Sequence, residues 1–306
     1  MSLVFSAITP IFLLVALGAV LKAKAGFSDE FWTMIEKLTF NGLFPALLFV
    51  KIAESNVHWP TALPIATAIV IGIHLAAAAS IPFRSLLKLN PEKFVAVFQG
   101  GFRSNAYVGI AVVLGVLGDD AAGPMAVSML AVGVTINFLG VVGHLYWLKT
   151  PGQNTGVRGV AIDSVKNPLI QACLLGAVFN AVGWGLPPII GPALNLLSQA
   201  ALPMGLMAVG AGLSLSAVRG DMMPVALSCA CKLLIQPLVT FGFCILFGLS
   251  GLALIVPVIF AALPTSSTSY VVSRRMGSDA QLMAAIVTAT HLAAIITMPI
   301  IILAIT

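Results

Sequence analysis

Phe98-Gln-Gly-Gly-Phe-Arg-Ser-Asn-Ala-Tyr107-Val and Ala261-Ala-Leu-Pro-Thr-Ser-Ser-Thr-Ser-Tyr270-Val are the two stretches that decide the reading of this chain. Each is a polar interruption inside a long apolar run, and each half of the sequence holds one. Aligning the two tyrosines puts Ser104 on Ser267, Asn105 on Thr268 and Ala106 on Ser269. Hydrocarbon tolerates irregular polar backbone only where protein or a water-filled cavity surrounds it. A matched pair of such breaks is the sequence mark of a secondary transporter's substrate site.

Composition sets the frame around those breaks. Of 306 residues, 59% are hydrophobic and 8% charged, too few charges to cover a soluble protein of this size. The apolar runs are about 20 residues long, enough to cross ~30 Å of hydrocarbon as helices. Porin-like barrels show alternating segments of ~10 residues instead, and none is visible. The chain therefore reads as an all-α polytopic membrane protein. Cys173, Cys229, Cys231 and Cys244 lie in apolar segments with neither a disulfide framework nor metal-ligand spacing, and no cofactor is expected. The net charge of +5 carries no nucleic-acid signal, because the basic residues fall mainly in short loops.

Ten spans are expected, near 3–21, 31–52, 62–83, 94–117, 122–148, 167–184, 189–215, 223–248, 251–276 and 281–304. The first is full-length and has no basic region before it, so it reads as a span rather than a signal peptide. Alternate connections carry Lys22, Lys24, Arg84, Lys88, Lys93, Lys149, Arg158, Lys166, Arg219, Arg274 and Arg275, whereas the opposite side has Lys51 with Asp119 and Asp120. The positive-inside rule then puts both termini outside the cytoplasm, in the periplasm for a bacterial inner membrane. Trp32 and Trp147 at cytoplasmic ends, and Trp59 and Trp184 at external ends, suit an aromatic belt.

Residues 1–148 and 167–306 form two halves of five spans joined by a polar cytoplasmic linker at 149–166. An odd number of spans inverts the second half relative to the first. Asn41-Gly-Leu-Phe-Pro45 is echoed by Gln199-Ala-Ala-Leu-Pro203, and Gly118-Asp-Asp-Ala121 by Gly277-Ser-Asp-Ala280. With the paired breaks these make three echoes in order, each about 160 residues apart, as an inverted repeat requires.

The breaks in spans 4 and 9 create half-helices whose N-termini point inward and carry partial positive charge. Pro264 enforces one break and Gly100-Gly101 weakens the other. Ser104, Asn105, Tyr107, Ser266, Ser267 and Thr268 stand ready to cap those ends or to bind a ligand. Arg103 sits ~15 Å in from the cytoplasmic end of its span. Lys232, His74, His291 and Asn137 also lie within spans, and Asn41 and Gln199 are paired across the repeat beside Pro45 and Pro203. Membrane-buried charges are costly and mark function. No acid occupies the core of a span, so the counter-charge for Arg103 and Lys232 is expected from the substrate: a small organic anion. Each residue has a plainer reading too. Serines satisfy freed backbone, lysine snorkels, histidines and amides bond neighbouring helices, and Ala208-Val-Gly-Ala-Gly-Leu213 lets helices pack closely.

Several motifs together resemble the auxin efflux carrier family in its bacterial branch. They are Phe102-Arg-Ser-Asn-Ala-Tyr-Val-Gly-Ile110, Asn167-Pro-Leu-Ile170, Leu186-Pro-Pro188, Ala200 through Leu213, Lys232-Leu-Leu-Ile-Gln-Pro237, and Pro264 through Gly277. The resemblance implies ten helices, a scaffold of spans 1, 2, 6 and 7, and a transport part from spans 3–5 and 8–10 with crossed helices. It further implies organic anion substrates (auxin in plants, dicarboxylates such as malonate or malate among bacteria), homodimers and elevator-type movement. Its site positions fall on Asn105 and Pro264. Two departures stand out: Ala111 replaces the proline that commonly follows Gly-Ile, and the plant cytoplasmic loop shrinks to 149–166.

The leading expectation is thus a secondary carrier of a small mono- or dicarboxylate. The alternative is a sodium- or proton-coupled symporter of the related bile-acid-carrier type, and more distantly a channel or receptor. Enzyme motifs such as His-Glu-x-x-His or Gly-x-Ser-x-Gly are absent from the sequence. Alkaline phosphatase fused after Thr306 is expected to be active and green fluorescent protein there dark; the reverse pattern rejects the topology.

Overall fold

Side-chain caps set where many of the helices begin. The computed structural model describes residues 2–55, 59–148, 165–186, 188–214, 217 and 222–306. The linker segment 149–164 with Lys149 and Arg158, together with Pro187, Arg219 and the side chain of Trp59, lies outside that description. Helix α1 spans Ser2–Lys24. Ser28 caps α2 (Asp29–Ala53) by accepting from the Phe31 N–H. After α3 (Ala62–Ser80), Asn90 accepts from Lys93 N–H and Pro91 occupies the first turn of α4 (Pro91–Gly100). Asn105 opens α5 (Ala106–Leu117), which is followed by α6 (Ala122–Leu148). The same Asn-Pro opening recurs at Asn167-Pro168 for α7 (Pro168–Val182). The remaining helices are α8 (Gly191–Ala211), α9 (Met222–Leu246), α10 (Leu252–Ala262), α11 (Thr268–Met276) and α12 (Ala280–Ile305), the last capped by Asp279.

Among the described residues there is no strand, and six helices are long and apolar enough to cross a membrane. The shorter apolar helices include α5, α7 and α10. Helix α2 is interrupted by a π-turn at Thr39–Leu43, and α9 by another at Cys231–Ile235. Each π-turn starts six residues before a proline, Pro45 or Pro237. Proline has no N–H to donate and its ring crowds the carbonyl a turn earlier, so the helix widens ahead of it. The helix opening ahead of Pro45 is a π-turn containing Asn41.

Packing brings α1 onto α8 and α2 onto α7 and α8. The α1–α8 contact is backbone on backbone. A Cβ on Gly18 would come 2.0 Å from the Met207 carbonyl oxygen, and one on Gly210 would come 1.8 Å from that of Val15. Gly210 belongs to the small-residue stretch assigned above to close packing. Helix α3 packs on α9 and α6, with Thr240 filling the space beside Gly72. Helix α12 touches α4, α9, α10 and α11. Trp32 is buried against Phe27 and Phe31, and Trp147 packs on Phe94 and Phe98, so packing fixes these rings.

Because a backbone oxygen cannot retreat as a side-chain end can, Gly210→Ala is expected to destabilise the protein by about 2–3 kcal/mol. Gly242 has nothing within 4 Å of its would-be Cβ, so Gly242→Ala is expected to be neutral or slightly stabilising. Thermal melts in detergent compare the two.

Candidate functional site

The two breaks meet and complete one another. Helix α4 stops at Gly100 and α5 starts at Ala106; α10 stops at Ala262 and α11 starts at Thr268. A helix end leaves carbonyls without partners, and here each break serves the other's. The Thr265 hydroxyl donates to Gly100 O at 2.9 Å, and the Ser104 hydroxyl donates to Phe260 O at 3.3 Å. Between them the Asn105 N–H donates to the Pro264 carbonyl at 2.9 Å. Leu263 is extended (φ −61°, ψ 149°), as a residue before proline prefers. The helix stops at Gly100-Gly101 as expected, and Gly100 has a packing use as well. A Cβ there would lie 2.5 Å from Ser228 Oγ and 2.6 Å from Ile286 Cγ2, so its size permits α4 to approach α9 and α12.

The inward N-termini are not equivalent. Asn105 Oδ1 accepts from Tyr107 N–H (3.1 Å) and Val108 N–H (3.4 Å), capping α5. Its Nδ2 donates to His291 Nε2 at 3.2 Å, while His291 Nδ1 faces the Val287 carbonyl at 2.7 Å. That carbonyl fixes the imidazole proton on Nδ1. Helix α11 has no side-chain cap, and the buried Ser267 Oγ has no hydrogen-bond partner. Ser266 and Thr268 bond one another at 2.9 Å.

Around this junction lies a cavity of about 300 Å³. Of the expected site residues, Arg103, Ser104, Asn105, Tyr107, Asn137, Ser266, Ser267 and Thr268 line it. The Tyr107 ring stacks on Phe44 of α2 at 4.4 Å, and its buried hydroxyl has no partner. Pro264 takes part through its carbonyl, and His291 stands behind Asn105. The others sit elsewhere. Lys232 is fully buried off the cavity, donating to Gln236 Oε1 and the Ala261 carbonyl, each at 2.7 Å. Its ammonium thereby neutralises the carbonyl end of α10. Asn41 is exposed and donates to Lys37 O at 2.8 Å, and Gln199 is exposed on α8. His74 is exposed too, its Nδ1 against Val70 O.

Arg103 is held by residues that sequence reading passed over. Its Nη1 donates to Gln99 Oε1 at 3.3 Å, and Gln99 Nε2 reaches His144 at 3.1–3.2 Å. His144 Nδ1 faces the Gly140 carbonyl at 2.8 Å. All three side chains are buried, and Arg103 Nε has no partner. Gln99 lies one helical turn before Arg103, and that i, i+4 spacing was the available signal. Two further polar cavity residues are Asn167, which also caps α7, and Glu36 of α2. Glu36 revises the expectation that carboxylates stay away from the site: it is near the end of its span, yet it faces the same cavity as Arg103.

A family model described as a membrane transport protein matches residues 3–302. The chain belongs to this family, that of the auxin efflux carriers. This agrees with the resemblance drawn from the crossover motifs. Among its relatives are two uncharacterized transporters. One, from Methanothermobacter thermautotrophicus, is 23% identical over 292 residues, covering 94% of each chain. The other, YfdV of Escherichia coli K12, is 23% identical over 274 residues, covering 87% of this chain and 86% of its own. The protein is thus a multi-pass membrane transporter of the auxin efflux carrier family.

Asn105→Ala removes the cap of α5 and leaves His291 Nε2 unpaired, and is expected to cost about 2 kcal/mol of stability. Gln199→Ala, on an exposed face, is expected to stay within about 0.5 kcal/mol. Thermal unfolding in one detergent checks both.

Proposed function

We propose that this carrier moves a small organic anion, a mono- or dicarboxylate, across the inner membrane by alternating access. The observation that carries the reading is Arg103: a buried guanidinium lining a cavity, with Nε unpartnered and, among the described residues, no carboxylate within ion-pair distance. A buried cation without a counter-charge is costly. An anionic ligand supplies that charge, and the uncapped N-terminus of α11 adds favourable partial charge beside it.

We further propose that the helices form ten spans in an inverted five-plus-five repeat, with spans 4 and 9 crossing at the joined breaks and both termini in the periplasm. Helices α1, α2, α7 and α8 are the scaffold, and α3–α6 with α9–α12 the transport part. The cavity's walls support this division. Glu36, Phe40, Leu169 and Cys173 come from the first group, while Arg103, Asn137 and Ser267 come from the second. Sliding one group past the other carries the Arg103 side of the cavity across, which is elevator movement; the resemblance adds a homodimer built on the scaffold. An inside-negative potential favours anion exit by ~2.3 kcal/mol per charge per 100 mV, so export needs no coupling ion.

Uptake of labelled carboxylates into proteoliposomes, with imposed potential, pH and sodium gradients in turn, tests the proposal. Saturable carboxylate transport is expected, reduced at least about tenfold by Arg103→Ala. Gln99→Glu keeps the shape of the relay but gives Arg103 an internal carboxylate, so it is expected to raise KM about tenfold or more with the fold intact. Unaltered transport in both variants rejects the assignment to Arg103. A preference for organic cations rejects the anion reading itself.

A further inference from the structure

Glu36 and Arg103 line the same cavity of about 300 Å³. Glu36 belongs to α2, and Arg103 to the break after α4. Neither belongs to an ion pair; among the described residues those are Lys22–Asp29 and Lys51–Asp119. Tyr107 shares the wall. Helices α7 and α8, packed against α2, contain no acidic or basic residue. Arg103 is the one Lys, Arg or His among the lining residues. Lys232 is spent on Gln236 and Ala261, and the Asn105 amide on α5 and His291. Much of the remaining wall is apolar, with Met129, Ile136, Leu169, Ile170 and Phe260.

We propose that Glu36 is a specificity-determining residue that restricts the site to monocarboxylates with an apolar body and turns dicarboxylates away. The inference rests on the carboxylate reading of the Arg103 cavity. A ligand's first carboxylate takes Arg103 and the open end of α11. A second carboxylate finds no further cation among the described residues of the wall and shares the space with Glu36. At about 8 Å and an effective dielectric of about 20, that repulsion alone weakens binding roughly 30-fold. The apolar wall favours a hydrocarbon body in the same place. The site thereby departs from the malonate- or malate-like ligands that the bacterial resemblance implies.

Calorimetric binding to the purified protein in nanodiscs, with hexanoate against adipate and benzoate against terephthalate, tests the inference. Wild type is expected to bind each monocarboxylate at least about tenfold more tightly than its partner. Glu36→Gln is expected to narrow that ratio by tenfold or more, mainly by tightening the dicarboxylate, and Glu36→Asp to preserve it. Equal or tighter binding of adipate and terephthalate by wild type overturns the proposal, and needs no variant to fold. An unchanged ratio in Glu36→Gln also overturns it. In both of those cases the carboxylate reading stands. Binding of none of the four by wild type removes the carboxylate reading and this inference together.

Discussion

The hydrogen bonds exchanged between the two breaks are the constraint on which the rest of the structure depends. A helix interrupted inside an apolar bundle exposes carbonyls and amides where little water can serve them. Here Thr265 serves Gly100, Ser104 serves Phe260, and the Asn105 N–H serves Pro264. Each break leaves carbonyls that the other satisfies, which holds the two together. That exchange sets the positions of α4, α5, α10 and α11, and α9 and α12 close around them. The small side of Gly100 is the steric counterpart of this arrangement, because it brings α9 near enough for Ser228 to reach the Val97 carbonyl.

The two buried cations illustrate how similar residues take opposite tasks. Lys232 has its charge directed at a helix carbonyl terminus and a glutamine oxygen, so it stabilises the break without facing the cavity. Arg103 is steadied on one edge by Gln99 and His144 and leaves the Nε edge without a partner. A planar guanidinium suits this division, since one edge can be fixed while the other remains available. The relay ends on a backbone carbonyl at Gly140. At that position even a methyl group would come 3.0 Å from Arg103 Nη1.

Much of this was legible in the sequence, and what was missed has a common cause. Polar residues interrupting apolar runs gave the breaks, and Pro264 fixed one of them, because hydropathy and proline chemistry are local. The resemblance to the auxin efflux carriers was likewise carried by local motifs. Which cation faces the cavity was not legible, because the carbonyl that claims Lys232 lies 29 residues away on another helix. Asn105 was read as a capping or ligand residue, and only the fold reveals that both ends of its amide are occupied. Glu36 was set apart from the site because it lies near the end of its span, but position along a helix does not give distance from a cavity. The break in fact sits beside the same part of α2, where Phe44 stacks on Tyr107. Asn41 and Gln199 were paired from the sequence alone, yet both are exposed, since similarity of sequence position does not give contact with a site.

Unequal capping of the inward half-helices has a consequence for how a ligand sits. In backbone terms the two breaks offer two similar seats for a negative group, at the N-termini of α5 and α11. Asn105 fills the seat at α5 with its own oxygen, whereas nothing from the protein's side chains fills the one at α11. The duplication is thereby broken at the one place where it would leave orientation ambiguous. On the anion reading proposed above, a ligand has its charge toward α11 and Arg103 and its remainder toward the apolar wall. The direction of such a ligand between the two half-helix ends then rests on a single amide oxygen.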